Sequence, residues 1–152
     1  MRSNDYDELL MRVEQDLVSH GLEAVVLDTM PLKENSGLDG VAYLKGNKAY
    51  IFIDKTLATF DKARTLVEEY HHAISDLGDH LDYDAVRAHN NEVSAREEVI
   101  AYMTSPEDLV RVAHYHEDEP FAAWMLTEHL GYPADFAEET VAYYRRRGLI
   151  PG

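Results

Sequence analysis

The chain of 152 residues contains no cysteine, so disulfide bonds and thiolate metal ligands are excluded. Any bound metal ion must therefore be held by His, Asp or Glu side chains. Basic residues are also scarce, because 14 Lys and Arg stand against 29 Asp and Glu, which gives a formal net charge of −15. This charge repels phosphate backbones and argues against nonspecific nucleic-acid binding. It either favours a basic partner or serves only to keep the protein soluble.

Long apolar runs are absent as well. No segment approaches the roughly 18 apolar residues that a membrane span needs. The N-terminus carries Asp5, Asp7 and Glu8, where a secretory signal would have a basic and then an apolar stretch. We therefore expect a cytoplasmic protein without membrane contact. A Gly-rich phosphate loop and a G-x-S-x-G motif are also missing, and neither a P-loop nor a serine-hydrolase interpretation has support.

The length and the 45% apolar content predict a single domain over residues 1–152. In the N-terminal third, the pattern predicts a helix over 5–20, a strand over 24–28, a loop over 31–40 and a hairpin of strands at 41–45 and 49–54. These strands predict a small, largely antiparallel sheet. From about residue 60 the apolar period becomes 3.6, which predicts helices over about 60–77, 85–104, 106–116, 120–130 and 133–147. The predicted fold class is thus α+β, with a mostly helical C-terminal part over about 105–148.

Histidines and acids concentrate between residues 68 and 92. On a helix that advances about 100° per residue, Glu68 and His72 lie only about 40° apart, and Glu69 lies about 60° beyond His72. The apolar side chains form the opposite, inward arc: Leu66, Tyr70, Ala73 and Leu77, with Val67 and Ile74 adjoining. His71 falls about 100° from His72, so the two neighbours are poorly placed to bind one metal, and we favour His72.

The segment Glu68-Glu69-Tyr70-His71-His72 has the spacing of H-E-x-x-H with glutamate in place of the first histidine. In that motif the residues four apart bind zinc, and the acid beside the first ligand is the base toward metal-bound water. Zinc accepts a glutamate oxygen as well as an imidazole nitrogen. The competing interpretation is structural, since acids and histidines also occupy solvated helix faces.

These residues carry a resemblance to the ImmA/IrrE family of phage and mobile-element metallopeptidases. Many Gram-positive phage members read A-E-E-L-G-H followed by G-D, and this chain has Glu68-Glu69-Tyr70-His71-His72 and then Gly78-Asp79 at the corresponding positions. The resemblance extends to Gly40-x-x-Tyr43, to the I-x-I-D strand end at 51–54 and to Glu92 downstream. The sequence departs from the pattern in the first ligand, in His71 where a small glycine is usual, and in Asn90-Asn91 ahead of the downstream acid.

The resemblance implies a zincin-like fold, with a small antiparallel sheet and an active-site helix. It implies that Glu68, His72 and Glu92 are metal ligands, that Asp79 binds or orients the site, and that Glu69 is the general base. Zinc is the implied cofactor, although carboxylate-rich ligation also admits manganese or iron. Asp76 is expected to orient the imidazole of His72.

The implied function is a zinc endopeptidase that cleaves a phage or mobile-element repressor with a helix-turn-helix domain and so relieves repression. The alternative is a non-catalytic antirepressor that keeps the fold and binds the repressor. Residues 120–147 themselves resemble a helix-turn-helix in outline, but Arg145, Arg146 and Arg147 lie at the wrong helix end for base contacts. We therefore expect a packed helical pair there and no direct nucleic-acid contact, with His114, His116 and His129 as solvated helix residues.

Overall fold

The computed structural model describes residues 1–78 and 95–151, which form two compact units: Arg2–Val99, and Ile100–Gly152 together with Met1. The first unit contains helix α1 (Ser3–Ser19), strand β1 (Glu23–Met30), the short helix α2 (Leu32–Ser36), strands β2 (Gly40–Lys45) and β3 (Lys48–Asp54), and helix α3 (Thr59–Gly78). Helix α4 (95–103) follows in chain order. The predicted helix over 85–104 is thus confirmed for 95–103, and its earlier part lies outside the described residues. The predicted loop over 31–40 contains α2.

The three strands form one mixed sheet in the order β1-β3-β2. The predicted hairpin is confirmed, because β2 and β3 are antiparallel and pair Ala42 with Ile51. The expectation of a largely antiparallel sheet is wrong for β1, which runs parallel to β3 and pairs Val26 with Ile51. Parallel neighbours need a crossover connection, and the segment with α2 and β2 carries the chain back to the end of the sheet where β1 starts.

The core of this unit lies between the sheet and helices α1 and α3. Central strand β3 alternates in burial, and Ala49, Ile51 and Ile53 are fully buried. Helices α1 and α3 contact each other, α1 contacts β1, and α3 contacts β2 and β3. We infer that the helices cover this face, because Tyr43 and Tyr50 stack on the opposite face with their ring centroids 4.9 Å apart. The sheet therefore has one packed and one partly solvated face, as antiparallel-edged sheets commonly do.

The second unit is helical and contains α5 (Pro106–His114), α6 (Ala123–Leu130) and α7 (Ala134–Arg146). Helix α5 begins at the predicted residue, Pro106. The side chain of Ser105 accepts from the backbone N–H of Asp108, and the side chain of Asp108 accepts from that of Ser105. Helix α6 ends at Leu130, and the residue after it, Gly131, has a left-handed backbone conformation with a φ of 70°. Helices α6 and α7 pack against each other.

Three buried hydroxyl groups hold the end of α4 in the second unit. The Tyr132 hydroxyl donates to the carbonyl of Met103 at 3.1 Å and lies 2.5 Å from Oγ1 of Thr104. The Tyr144 hydroxyl donates to the carbonyl of Thr104. These bonds supply donors to carbonyl groups that a helix end leaves without intrahelical partners. Burial raises the pKa of both tyrosines, because it disfavours the charged phenolate.

No helix in the described part of the chain combines the length and the apolar character that crossing a bilayer requires.

Candidate functional site

Helix α3 presents the inward arc that the sequence predicts. Leu66, Val67 and Ala73 are fully buried, and Tyr70 is 5% exposed. The predicted boundaries, 60–77, differ by one residue at each end from Thr59–Gly78. This packing fixes the rotation of α3 about its axis, so the directions of Glu68, Glu69 and His72 are set by the core.

The central interaction of the candidate site joins Glu69 and His72. Oε1 of Glu69 lies 2.9 Å from Nδ1 of His72. A carboxylate can only accept here, so Nδ1 of His72 carries the proton and Nε2 is the nitrogen that remains for a ligand. The His72 side chain is 62% exposed and that of Glu69 only 8%. Glu69 therefore lies at the buried margin of the helix face that carries Glu68 and His72.

Glu69 is buried because α3 approaches the start of β2 closely. A Cβ atom added at Gly40 would lie 3.2 Å from Cγ of Glu69 and 3.3 Å from the carbonyl oxygen of Phe52, and it would overlap with the methyl group of Thr65. Only glycine leaves space for this contact. Gly40 thus has a physical role in positioning Glu69, beyond its place in the Gly40-x-x-Tyr43 pattern.

Glu68 extends toward solvent on the neighbouring side of α3. Its Oε1 lies 3.5 Å from Nε of Arg64, one turn earlier, and its side chain is 47% exposed. Partial burial raises the pKa of Glu68, and the charge of Glu69 adds to this increase while Arg64 opposes it. Any cation that binds Glu68 competes with the Arg64 contact.

Carboxylates also determine the protonation of His72. The hydrogen bond that His72 donates to Glu69 raises the pKa of His72 most, and the charges of Glu69, Glu68 and Asp76 add to this increase. Partial burial of the imidazole opposes it. We expected Asp76 to orient this imidazole, but the recorded hydrogen-bond partner is Glu69. Asp76 acts on His72 through its charge.

His71 is directed into a different set of contacts. Its Nδ1 donates to the backbone carbonyl of Val67 at 2.8 Å, and its Nε2 lies 3.9 Å from Oε2 of Glu98. Its side chain is only 13% exposed, against 62% for His72. Of the two neighbouring histidines, His72 is therefore the one whose imidazole is open to solvent.

Of the four predicted metal ligands, the structure describes Glu68 and His72, whereas Asp79 and Glu92 lie outside the described residues. The donor chemistry of this pair fits zinc, since Glu68 offers a carboxylate oxygen and His72 offers the imidazole nitrogen Nε2. The other ring nitrogen of His72, Nδ1, is held by Glu69. Two donors are half of a tetrahedral set. Within residues 1–78 and 95–151, the only group of three potential metal donors that lie within 4.8 Å of one another is not on α3 but in the second unit.

Comparison of the chain with protein-family models, curated proteins and solved structures finds no match. The ImmA/IrrE resemblance therefore stays a prediction, which rests mainly on the E-E-x-x-H segment, on Gly78-Asp79 and on Glu92.

A further group of potential metal donors, which the sequence pattern does not reveal, lies in the second unit and consists of His116, Glu128 and His129. We expected His114, His116 and His129 to be solvated helix residues. This is confirmed for His114 and His129, but His116 follows the end of α5 and its side chain is only 13% exposed. No local spacing signals this group, because His116 comes from a loop and the other two residues come from α6.

Proposed function

We propose that this protein is a zinc-dependent endopeptidase that cleaves a repressor bearing a helix-turn-helix domain. The observation that carries the proposal is the pair of Glu69 and His72: a nearly buried carboxylate fixes an exposed imidazole on the helix that packs against the sheet. Carboxylate–histidine pairs of this kind set the tautomer and direction of a metal-binding ring. A purely solvated helix face gives no reason for burying the acid of the pair.

Zinc bound through Glu68 and Nε2 of His72 would supply Lewis-acid polarisation of the scissile carbonyl and acidify a water molecule. The chain's own residues supply orientation and proton transfer. Glu69 accepts the Nδ1 proton of His72 in a hydrogen bond through Oε1, which holds the ring. We assign Glu69 also as the base that takes the proton from the attacking water and passes it to the leaving amine. A zinc ion on Nε2 would lie across the imidazole ring from Nδ1, so for this step the carboxylate would leave its hydrogen bond with Nδ1 and turn toward the water.

The edge of the sheet offers a place for an extended substrate. Strand β2 is an edge strand, and α3, which carries Glu69, contacts it. An extended peptide can add to such an edge through main-chain hydrogen bonds. Because Gly40 at the start of β2 lies against Glu69, a peptide aligned with β2 would pass close to the proposed base. The net charge of −15 favours a substrate segment with basic residues.

The test is incubation of the zinc-supplied protein with a helix-turn-helix repressor encoded by a neighbouring gene, followed by mass spectrometry of the products. We expect cleavage at one or a few positions. Glu69→Gln keeps the size of the side chain but removes its basicity, so the rate should fall by about 10²–10⁴-fold. Glu14→Gln, the same change at an exposed position of α1, should leave the rate unchanged.

Two results would contradict the proposal. Intact repressor after incubation with zinc, together with complex formation that Glu69→Gln does not affect, would replace the peptidase with the non-catalytic antirepressor. Cleavage that persists in Glu69→Gln would remove Glu69 from the mechanism. The absence of a repressor gene beside that of this protein would count against both functions.

A further inference from the structure

A compact group of nitrogen and oxygen donors lies in the second unit, outside the α3 site. Nε2 of His116 is 2.8 Å from Nε2 of His129 and 3.8 Å from Oε2 of Glu128. One donor atom from each of the three residues lies within 4.8 Å of the other two. His116 comes from the loop after α5, and Glu128 and His129 come from the last turn of α6.

The geometry is close to that of a zinc site. With Zn–N distances of about 2.0–2.1 Å and tetrahedral angles, two ligating nitrogens lie about 3.3 Å apart. The two Nε2 atoms are therefore about half an ångström closer than zinc requires, which a small rotation of the exposed His129 ring corrects. Glu128 and His129 are adjacent on a helix, but the longer glutamate side chain reaches back to the imidazoles.

The surroundings hold the two rings with their Nε2 atoms directed at each other. Oε1 of Glu119 lies 3.4 Å from Nδ1 of His116, on the far side of the ring from His129. The Trp124 ring contacts His116 edge-on at 5.0 Å between centroids, and Tyr115 stacks on His129 at 5.0 Å with an interplanar angle of 13°. A carboxylate on the outer nitrogen is the arrangement that orients metal-bound histidines.

We propose that His116, Glu128 and His129 bind one divalent transition-metal ion, with zinc as the preferred ion. Two imidazoles and one carboxylate form a donor set that zinc uses with water in the fourth position. The ion would join the loop after α5 to the C-terminal turn of α6. Glu119 acts as the positioning residue, because it contacts His116 and not the ion. The site is separate from the α3 site and does not depend on peptidase activity.

The only tryptophan of the chain, Trp124, gives a local readout. Because Co²⁺ coordinates like zinc and is paramagnetic, an ion beside the His116 ring should quench the fluorescence of Trp124. In a titration of the untagged full chain with Co²⁺ near pH 7.5, we expect saturable quenching at about one ion per chain, reversed by an excess of Zn²⁺. Quenching that rises linearly without saturation would overturn the proposal, since it would show only collisional encounters.

Variants separate this site from the rest of the chain. His129→Ala should abolish saturable quenching, and Glu119→Gln should weaken the Co²⁺ affinity by about 10–100-fold. The matched control is His114→Ala, because His114 is 76% exposed and pairs with Glu117 instead of joining the group. His72→Ala should also leave the titration unchanged. Saturable quenching that survives His129→Ala, or that is lost in His72→Ala, would contradict the assignment. Unchanged far-ultraviolet circular dichroism of each variant excludes unfolding as the cause.

Discussion

The close approach of helix α3 to the start of strand β2 can be tested by adding a single methyl group at Gly40. In Gly40→Ala, the new Cβ would overlap with the methyl of Thr65 and lie 3.2 Å from Cγ of Glu69. It would also lie 3.3 Å from the backbone carbonyl oxygen of Phe52, which cannot rotate away. Thr65 is 7% exposed, so its methyl has little space into which to move. The substitution must therefore separate α3 from β2 or distort Thr65.

The expected size follows from two opposing effects. Overpacking a close contact costs about 1–3 kcal/mol. Replacing glycine by alanine also reduces the entropy of the unfolded chain, which stabilises a fold by about 0.4–1 kcal/mol where the backbone conformation permits alanine. Gly40 has no positive φ, so this gain applies. The net loss of unfolding free energy should be about 1–2 kcal/mol, which corresponds to a decrease in Tm of about 2–8 °C.

Urea unfolding of a double-mutant cycle measures the contact itself. Thr65→Ser removes the methyl group that the new Cβ would meet. Gly40→Ala should therefore cost at least about 0.5 kcal/mol less in the Thr65→Ser background than in the wild type. Equal costs in the two backgrounds, or a Gly40→Ala protein as stable as the wild type, would refute the close approach of α3 to β2.

Two further predictions concern stability. Tyr144→Phe removes the donor to the buried carbonyl of Thr104 and should lower the free energy of urea unfolding by about 1–3 kcal/mol, whereas Tyr43→Phe at an exposed position should change it little. An equal effect of the two changes would contradict the buried hydrogen bond. The hydrogen bond that Thr56 donates holds the pKa of Asp54 below its usual value. The carboxylate therefore stabilises the fold at pH values above the unfolded-state pKa of about 3.9, and this stabilisation is lost as the pH falls through the lower pKa of the folded state. In thermal melts, Asp54→Asn should have a lower Tm than the wild type at pH 7, and the difference in Tm should decrease below about pH 4. A difference in Tm that does not depend on pH would refute this prediction.

Elements that depend on local periodicity were predicted well. Helix α3, its inward arc, the β2–β3 hairpin and the start of α5 all follow from residues close together in the chain. Apolar spacing selects helix or strand, and the Ser105 side chain accepts from the N–H of Asp108 in the first turn of the helix that it precedes. The pair of Glu68 and His72 belongs to the same class, because residues four apart share one face of any helix.

Features that join distant segments could not be predicted in this way. The parallel pairing of β1 with β3 depends on the path of the crossover, and neither strand encodes the orientation of its neighbour. Asp79 and Glu92 stay predictions from the resemblance, because they lie outside the described residues.

The sequence by itself determined which side chains α3 would present: an apolar arc, an E-E-x-x-H face and no thiolate anywhere in the chain. The tertiary structure alone decided what those side chains contact. Glu69 is buried because Gly40, 29 positions earlier, admits the helix to the start of β2. His116 and His129 face each other because the loop after α5 turns back onto α6. Helical spacing specifies only the direction in which a side chain leaves its own helix. Whether that side chain is buried, or meets other metal donors, depends on which distant segment packs against that side of the helix.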